Sequence, residues 1–121
     1  MTSTKNFRVD SFVAGLAIKA PCIVVTNVNL TLSAEQTVNS VTVVVGDRVL
    51  VKDQTDPIEN GIYNVETAAW QRAGDFDGNR DVVNGTLVIV AVIGTVTIYS
   101  LQATNPVEIG VDSLTFNLLV I

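Results

Sequence analysis

The sequence predicts an all-β fold, a small antiparallel β-sandwich or barrel-like domain behind an irregular N-terminal arm. Three observations carry that expectation. β-Branched Val, Ile and Thr dominate, whereas the Leu-Ala-Glu-Lys mixtures of helices are scarce. Several short segments alternate apolar and polar residues with a period of two. Turn formers separate these segments at intervals of about ten residues, the spacing of sandwiches and barrels.

The chain of 121 residues fits one domain. Residues 1–22 read as an arm, in which Phe7, Phe12, Leu16 and Ile18 are apolar anchors without a clean period, and Gly15 and Pro21 punctuate the stretch. Residues 23–121 read as the β domain. Val28, Leu30 and Leu32 alternate with Asn29, Thr31 and Ser33, which predicts a half-buried strand. "SAEQTVN" breaks the pattern. Val41, Val43 and Val45 resume it as far as Gly46-Asp47, and in "RVLVK" Val49 and Val51 face inward.

"DQTDPIENGIYNV", residues 53–65, is a polar island. Asp56-Pro57 suits the first positions of a type I turn, and Asn60-Gly61 tolerates φ > 0 before "GIYNVE" returns as a hairpin strand. "AAWQRAG" brings Trp70, the only tryptophan, and "DFDGNRD" at 75–81 is a second polar loop. "GTLVIVAVI" is apolar on both faces, as a strand covered on both sides would be. A tight hairpin at Gly94 leads to "TVTIYSLQA". "LTFNLLVI" follows the loop-rich "TNPVEIGVDS" and places Leu114, Phe116, Leu118 and Val120 on one face.

Charge is unevenly spread. The net charge is −5, which disfavours nucleic acid as a partner. Asp and Glu crowd residues 47–81, while between 82 and 121 only Glu108 and Asp112 are charged. An apolar half with so few charges predicts cover by another chain, most economically a second copy. The longest apolar run, residues 87–93, is too short for a membrane helix, and no secretory signal is visible at the N-terminus.

Chemistry has little to work with. The chain has no histidine, which removes the commonest general base and metal ligand. The lone cysteine, Cys22, lies in apolar "PCIVV" and reads as a buried, inert thiol. Asp75, Asp77, Asn79 and Asp81 are the weak metal candidates. They fail the EF-hand test, since glycine stands at loop position four and Thr86 at position twelve. An Asx-rich turn with Arg80 paired to a carboxylate is preferred. Asp53, Asp56 and Glu59 are candidates for paired-carboxylate glycoside hydrolysis, but beside turn formers they read as a solvated loop. Tyr63, Trp70 and Tyr99 suggest a stacking platform for sugars or bases, with Trp70 and Arg72 as a stacked pair, against a core or interface role. No catalytic residue, cofactor or firm metal site is expected.

The succession "GLAIKAP", "NLTLSAEQTVNSV", "GDRVLVKDQTDPIENGIYNV", "AWQRAGDFDGNRDVVNGTLVIV" and "NPVEIGVDSLTF" resembles a β-rich module of tailed-bacteriophage virion proteins, found in tail fibres, tailspikes and head-surface appendages. The resemblance spans residues 15–116 and is most specific over 47–63 and 70–86. It departs after Gly94, where the family has a longer Gly/Thr/Asn-rich hairpin and a Trp-containing strand, and this chain has Tyr99.

The resemblance implies a non-enzymatic structural virion component on the head, neck or tail surface, made in the host cytoplasm. It also implies a homo-oligomer, a trimer above all, contacting other virion proteins as a fibre, decoration or adaptor component. Phe7, Phe12, Leu16, Leu114, Phe116, Leu118 and Val120 are the expected interface residues. The rival reading is a receptor- or carbohydrate-binding module that recognises host glycan through Tyr63, Trp70 and Arg72 together with the loops 53–61 and 75–81.

Overall fold

The computed structural model describes residues 18–78 and 82–119. The candidates Phe7, Phe12, Leu16, Asn79, Asp81 and Val120 lie outside the described residues. The elements are strands β1 (Ile18–Cys22), β2 (Val24–Val25), β3 (Gln36–Val38), β4 (Val41–Val43) and β5 (Arg48–Val51), a 3-10 turn (Pro57–Glu59), then β6 (Gly61–Asn64), β7 (Gln71–Arg72), β8 (Leu87–Val92), β9 (Thr95–Gln102) and β10 (Thr115–Leu118). The all-β expectation holds. None of the described helices is long and apolar enough to cross a membrane.

Two four-stranded sheets have the orders β10-β9-β8-β1 and β2-β5-β6-β7, and β3-β4 forms a separate hairpin. The second sheet is the middle of three layers, and alternation along its strands shows why. Val25, Leu50 and Ile62 point into a core shared with Val88, Val90, Leu101 and Phe116 of the first sheet. Their neighbours Val24, Val49, Val51 and Tyr63 point the other way, into a core completed by Val38, Val43, Val65 and Trp70. A strand between two apolar layers needs apolar residues on both faces, so "VLV" at 49–51 is wholly buried.

Two pairings depart from the antiparallel expectation. β1 runs parallel to β8, and β2 runs parallel to β5. Both follow from one extended segment, residues 18–25, which leaves the first sheet at Cys22 and joins the second through the Ile23 N–H to Arg48 carbonyl bond (2.8 Å). The boundary of the arm moves accordingly: Ile18–Cys22 is a strand, with Lys19 and Cys22 buried. Its sequence hid this because Pro21 breaks the alternation, and a register shift between Lys19 and Cys22 absorbs the proline.

The strand expected around residues 28–33 does not form. Val28 is exposed, while Leu30 and Leu32 pack at the rim of the second core. Gln54 supplies what a neighbouring strand would have supplied: its Oε1 accepts from the Leu30 N–H and its Nε2 donates to the Leu30 carbonyl, both at 3.0 Å. A hairpin appears instead at 36–43. Asn39 and Ser40, both at positive φ, form its two-residue connection. Of Val41, Val43 and Val45, only Val43 is buried, and Val45 lies beyond the strand.

The β8–β9 hairpin has the expected tight loop, Ile93-Gly94, with Gly94 at φ +86°. Its outer face differs from expectation. Val88 and Val90 are buried, but Leu87 and Ile89 are half-buried and Ala91 is exposed, so β8 is covered fully on one side only.

Candidate functional site

The polar island and the Trp70–Phe76 stretch were the regions with the most candidate chemistry, and the fold brings them together around β6. Asp56 caps the 3-10 turn, its Oδ1 accepting from the Ile58 N–H at 3.3 Å, with Pro57 at the first helical position. The chain then enters β6 at Asn60-Gly61. Asn60 itself has φ −66°, and its side chain is buried: Oδ1 accepts from the Gln54 N–H (3.0 Å) and Nδ2 donates to the Leu114 carbonyl (2.9 Å). Its role is a strut between the two sheets rather than a turn residue.

Gly61 carries the turn alone, at φ +150°. A Cβ there would sit 2.7 Å from Arg72 Nη1. Close approach matters because Arg72 binds this turn, donating from Nη1 to the Asn60 carbonyl (3.0 Å) and from Nη2 to the Ile58 carbonyl (2.9 Å). Its guanidinium also lies 5.0 Å from the Tyr63 ring centroid. Tyr63 Oη donates to the Glu59 carbonyl at 2.6 Å, and Trp70 Nε1 donates to the Ala34 carbonyl at 2.9 Å.

These contacts correct the recognition surface. Tyr63 is 6% and Trp70 5% exposed, so neither offers a ring face to a glycan. The reason is the three-layer fold: both rings fill the second core and spend their polar ends on backbone carbonyls. Arg72 stacks on Tyr63, not on Trp70 as the sequence suggested.

The acids are equally committed. Asp53, Asp56 and Glu59 are exposed on a protruding turn, with Asp53 paired to Lys52 at 2.6 Å and Glu59 accepting from Gln54 at 3.2 Å. Asp75 receives a two-pronged bond from Arg48, at 2.8 and 2.7 Å. Arg48 also donates from Nε to the Ala20 carbonyl at 3.0 Å, which ties β1 to β5. Asp77 is exposed. Among the described residues no group of three or more acids or cysteines is placed to hold a metal ion. What "DFDG" delivers is Phe76, fully buried and 5.9 Å from the Phe116 ring.

Cys22 is buried, as expected. Burial pushes its thiol from an ordinary 9.0 up to about 12, against the pull of Arg48. Burial likewise raises the Tyr63 phenol, with Arg72 opposing. Both raised values act with one sign: the stability they carry is present below each group's ordinary value and is lost as pH rises through the folded one, which for the Cys22 thiol means between pH 9 and about 12. Two measurements check this. A thiol reagent at pH 8 is expected to leave the folded protein unmodified and to titrate one thiol after denaturation, and the melting temperature is expected to fall only above pH 9.

A groove of about 410 Å³ lies between the tips of the two hairpins, lined by Ile23, Ser40, Val41, Ala91, Val92 and Ile93. It contains no ionisable side chain and so no acid or base.

The interface candidates divide. Leu114 and Phe116 are buried in the first core, a correction that follows from β10 pairing with β9 and turning that face inward. Leu118 remains 52% exposed and its neighbour Leu119 41%. On the opposite face of the same sheet, register aligns Ile18 with Leu87 and Ser100, Ile89 with Ile98, and Ala91 with Val96. No charged residue stands among them. Compared with models of known protein families, with curated proteins and with solved structures, the chain matches none.

Proposed function

We propose that the protein is a non-enzymatic structural component of a bacteriophage particle, an appendage, decoration or adaptor subunit that assembles in several copies. The observation that carries this reading is the outer face of the β10-β9-β8-β1 sheet, where Ile18, Leu87, Ile89, Val96 and Ile98 meet solvent without a charge among them. A surface of this kind on a small acidic protein is favoured when another chain covers it. The sequence resemblance over residues 47–63 and 70–86 supports the phage assignment. Those residues have structural duties here, as caps, struts and core anchors, which suits a module reused as a building block.

The rival reading as a glycan-binding module loses its two aromatic rings, because Tyr63 and Trp70 are interior residues. Immunogold electron microscopy with antiserum against this protein tests the proposal. Regular labelling of intact particles is expected, whereas unlabelled particles beside abundant free protein would contradict it.

A further inference from the structure

An edge strand with free backbone groups invites pairing, and proteins that stay apart blunt such edges with Pro, charge, bulges or cover. Among the described residues, three of the four edges of the main sheets carry such a device. β1 has Pro21 and a register shift, and its Ala20 carbonyl is taken by Arg48. β2 is two residues long, and Asn39 Nδ2 caps the Val25 carbonyl at 3.2 Å. β7 is two residues long and is continued by the Ser33–Ala69 bridge. β10 is different. Its sequence "TFNL" has no Pro, Gly or charge, and the last charged residue before it is Asp112.

Register tells which groups of β10 face outward. The Leu119 N–H donates to the Ile98 carbonyl at 2.8 Å, so Thr115, Asn117 and Leu119 direct their backbone groups at β9. Leu114, Phe116 and Leu118 therefore present theirs to the far edge. Leu114 is already satisfied there, donating to the Pro57 carbonyl (3.2 Å) and accepting from Asn60 Nδ2 (2.9 Å). Cover ends at that point. Among the described residues, nothing bonds the outward N–H and C=O of Phe116 and Leu118.

We infer that a second copy of this chain pairs with that edge, β10 against β10 in antiparallel fashion across a twofold axis. The inference rests on the self-assembly reading above and names its contact. An antiparallel self-pairing is closed and isologous, and without charges near the axis it carries no like-charge cost. One register satisfies all four outward groups: Phe116 opposite Leu118 of the second copy, with the axis at Asn117. Leu118 then covers the rim of Phe116 across the axis, and the two four-stranded sheets become one sheet of eight.

That register makes a sharp prediction. Asn117 lies opposite its own copy in a non-hydrogen-bonded pair, where Cα atoms are about 4.5 Å apart and a disulfide fits. Thr115 is four residues from its own copy, about 14 Å along the strand, and a disulfide does not. Under mild oxidation Asn117→Cys is expected to give a covalent dimer more than about tenfold faster than Thr115→Cys. Cys22 does not interfere, being buried. In the unmodified protein, hydrogen exchange at the Leu118 amide is expected to slow as concentration rises.

Equal crosslinking of the two variants, protection of Leu118 that ignores concentration, or a trimer in sedimentation would overturn the pairing and leave self-assembly standing. A wild-type chain that is monomeric at every concentration would overturn both.

Discussion

Phe76→Ala is expected to lower the unfolding free energy by about 3–5 kcal/mol and the melting temperature by about 10–20 °C. Phe76 is the largest fully buried side chain among the described residues and stands against Phe116 where the two main sheets meet. Its backbone N–H is held by the Ala73 carbonyl at 2.9 Å, so the loop fixes the ring's position before the core closes on it. Truncation removes contacts from both sheets at once and leaves a cavity that β-branched neighbours are too stiff to fill. Chemical denaturation followed by far-ultraviolet circular dichroism checks the value. Phe76→Leu, which keeps most of the volume, is expected to lose less than half as much.

Asn60→Ala is expected to cost about 2–4 kcal/mol, although it deletes only a small polar group. The substitution strands a buried N–H at Gln54 and uncaps the Leu114 carbonyl, and each such loss costs about 1–3 kcal/mol. It also cuts the side-chain link between the polar island and Leu114, the residue just before β10. Asn29→Ala is the contrast. Asn29 accepts from the Thr55 N–H at 2.7 Å, but the pair is exposed and water replaces the lost partner, so a cost under about 1 kcal/mol is expected. Parallel denaturation curves for the two variants decide whether burial or bond length governs the loss.

Where the sequence was legible, one local rule was enough. β-Branched and aromatic residues in "RVLVK" and "GIYN", and a glycine after Ile93, marked strands and a tight hairpin from local sequence. The failures share a cause, which is that the deciding partner lies far along the chain. Leu30 alternates like a strand residue, but Gln54, 24 positions away, takes its backbone bonds. Ile18–Cys22 reads as an arm because Pro21 hides the parallel pairing with β8. The β3–β4 hairpin was missed because Asn39-Ser40 lacks the glycine that usually marks such a turn, and only the backbone shows both residues at positive φ.

The candidate site was legible in position and misread in purpose. The island at 53–65 and the segment from Trp70 to Phe76 meet in space through Arg72. The purpose is internal, however. Aspartate caps a turn, asparagine braces two sheets, arginine clamps carbonyls, and "DFDG" sends its phenylalanine inward. The uneven charge distribution, on which the proposal of assembly rests, is read from residue positions alone and does not depend on strand assignment.

Sedimentation velocity of the purified chain over a range from about 1 to 200 µM is the most direct test of the central claim, that the charge-poor half of the molecule is a surface between copies. The account predicts a reversible shift from single chains to a larger species as concentration rises, reduced at least about tenfold in affinity by Leu118→Lys with the melting temperature unchanged. A single, concentration-independent monomer peak across the whole range, for a chain that stays folded and soluble, would contradict it.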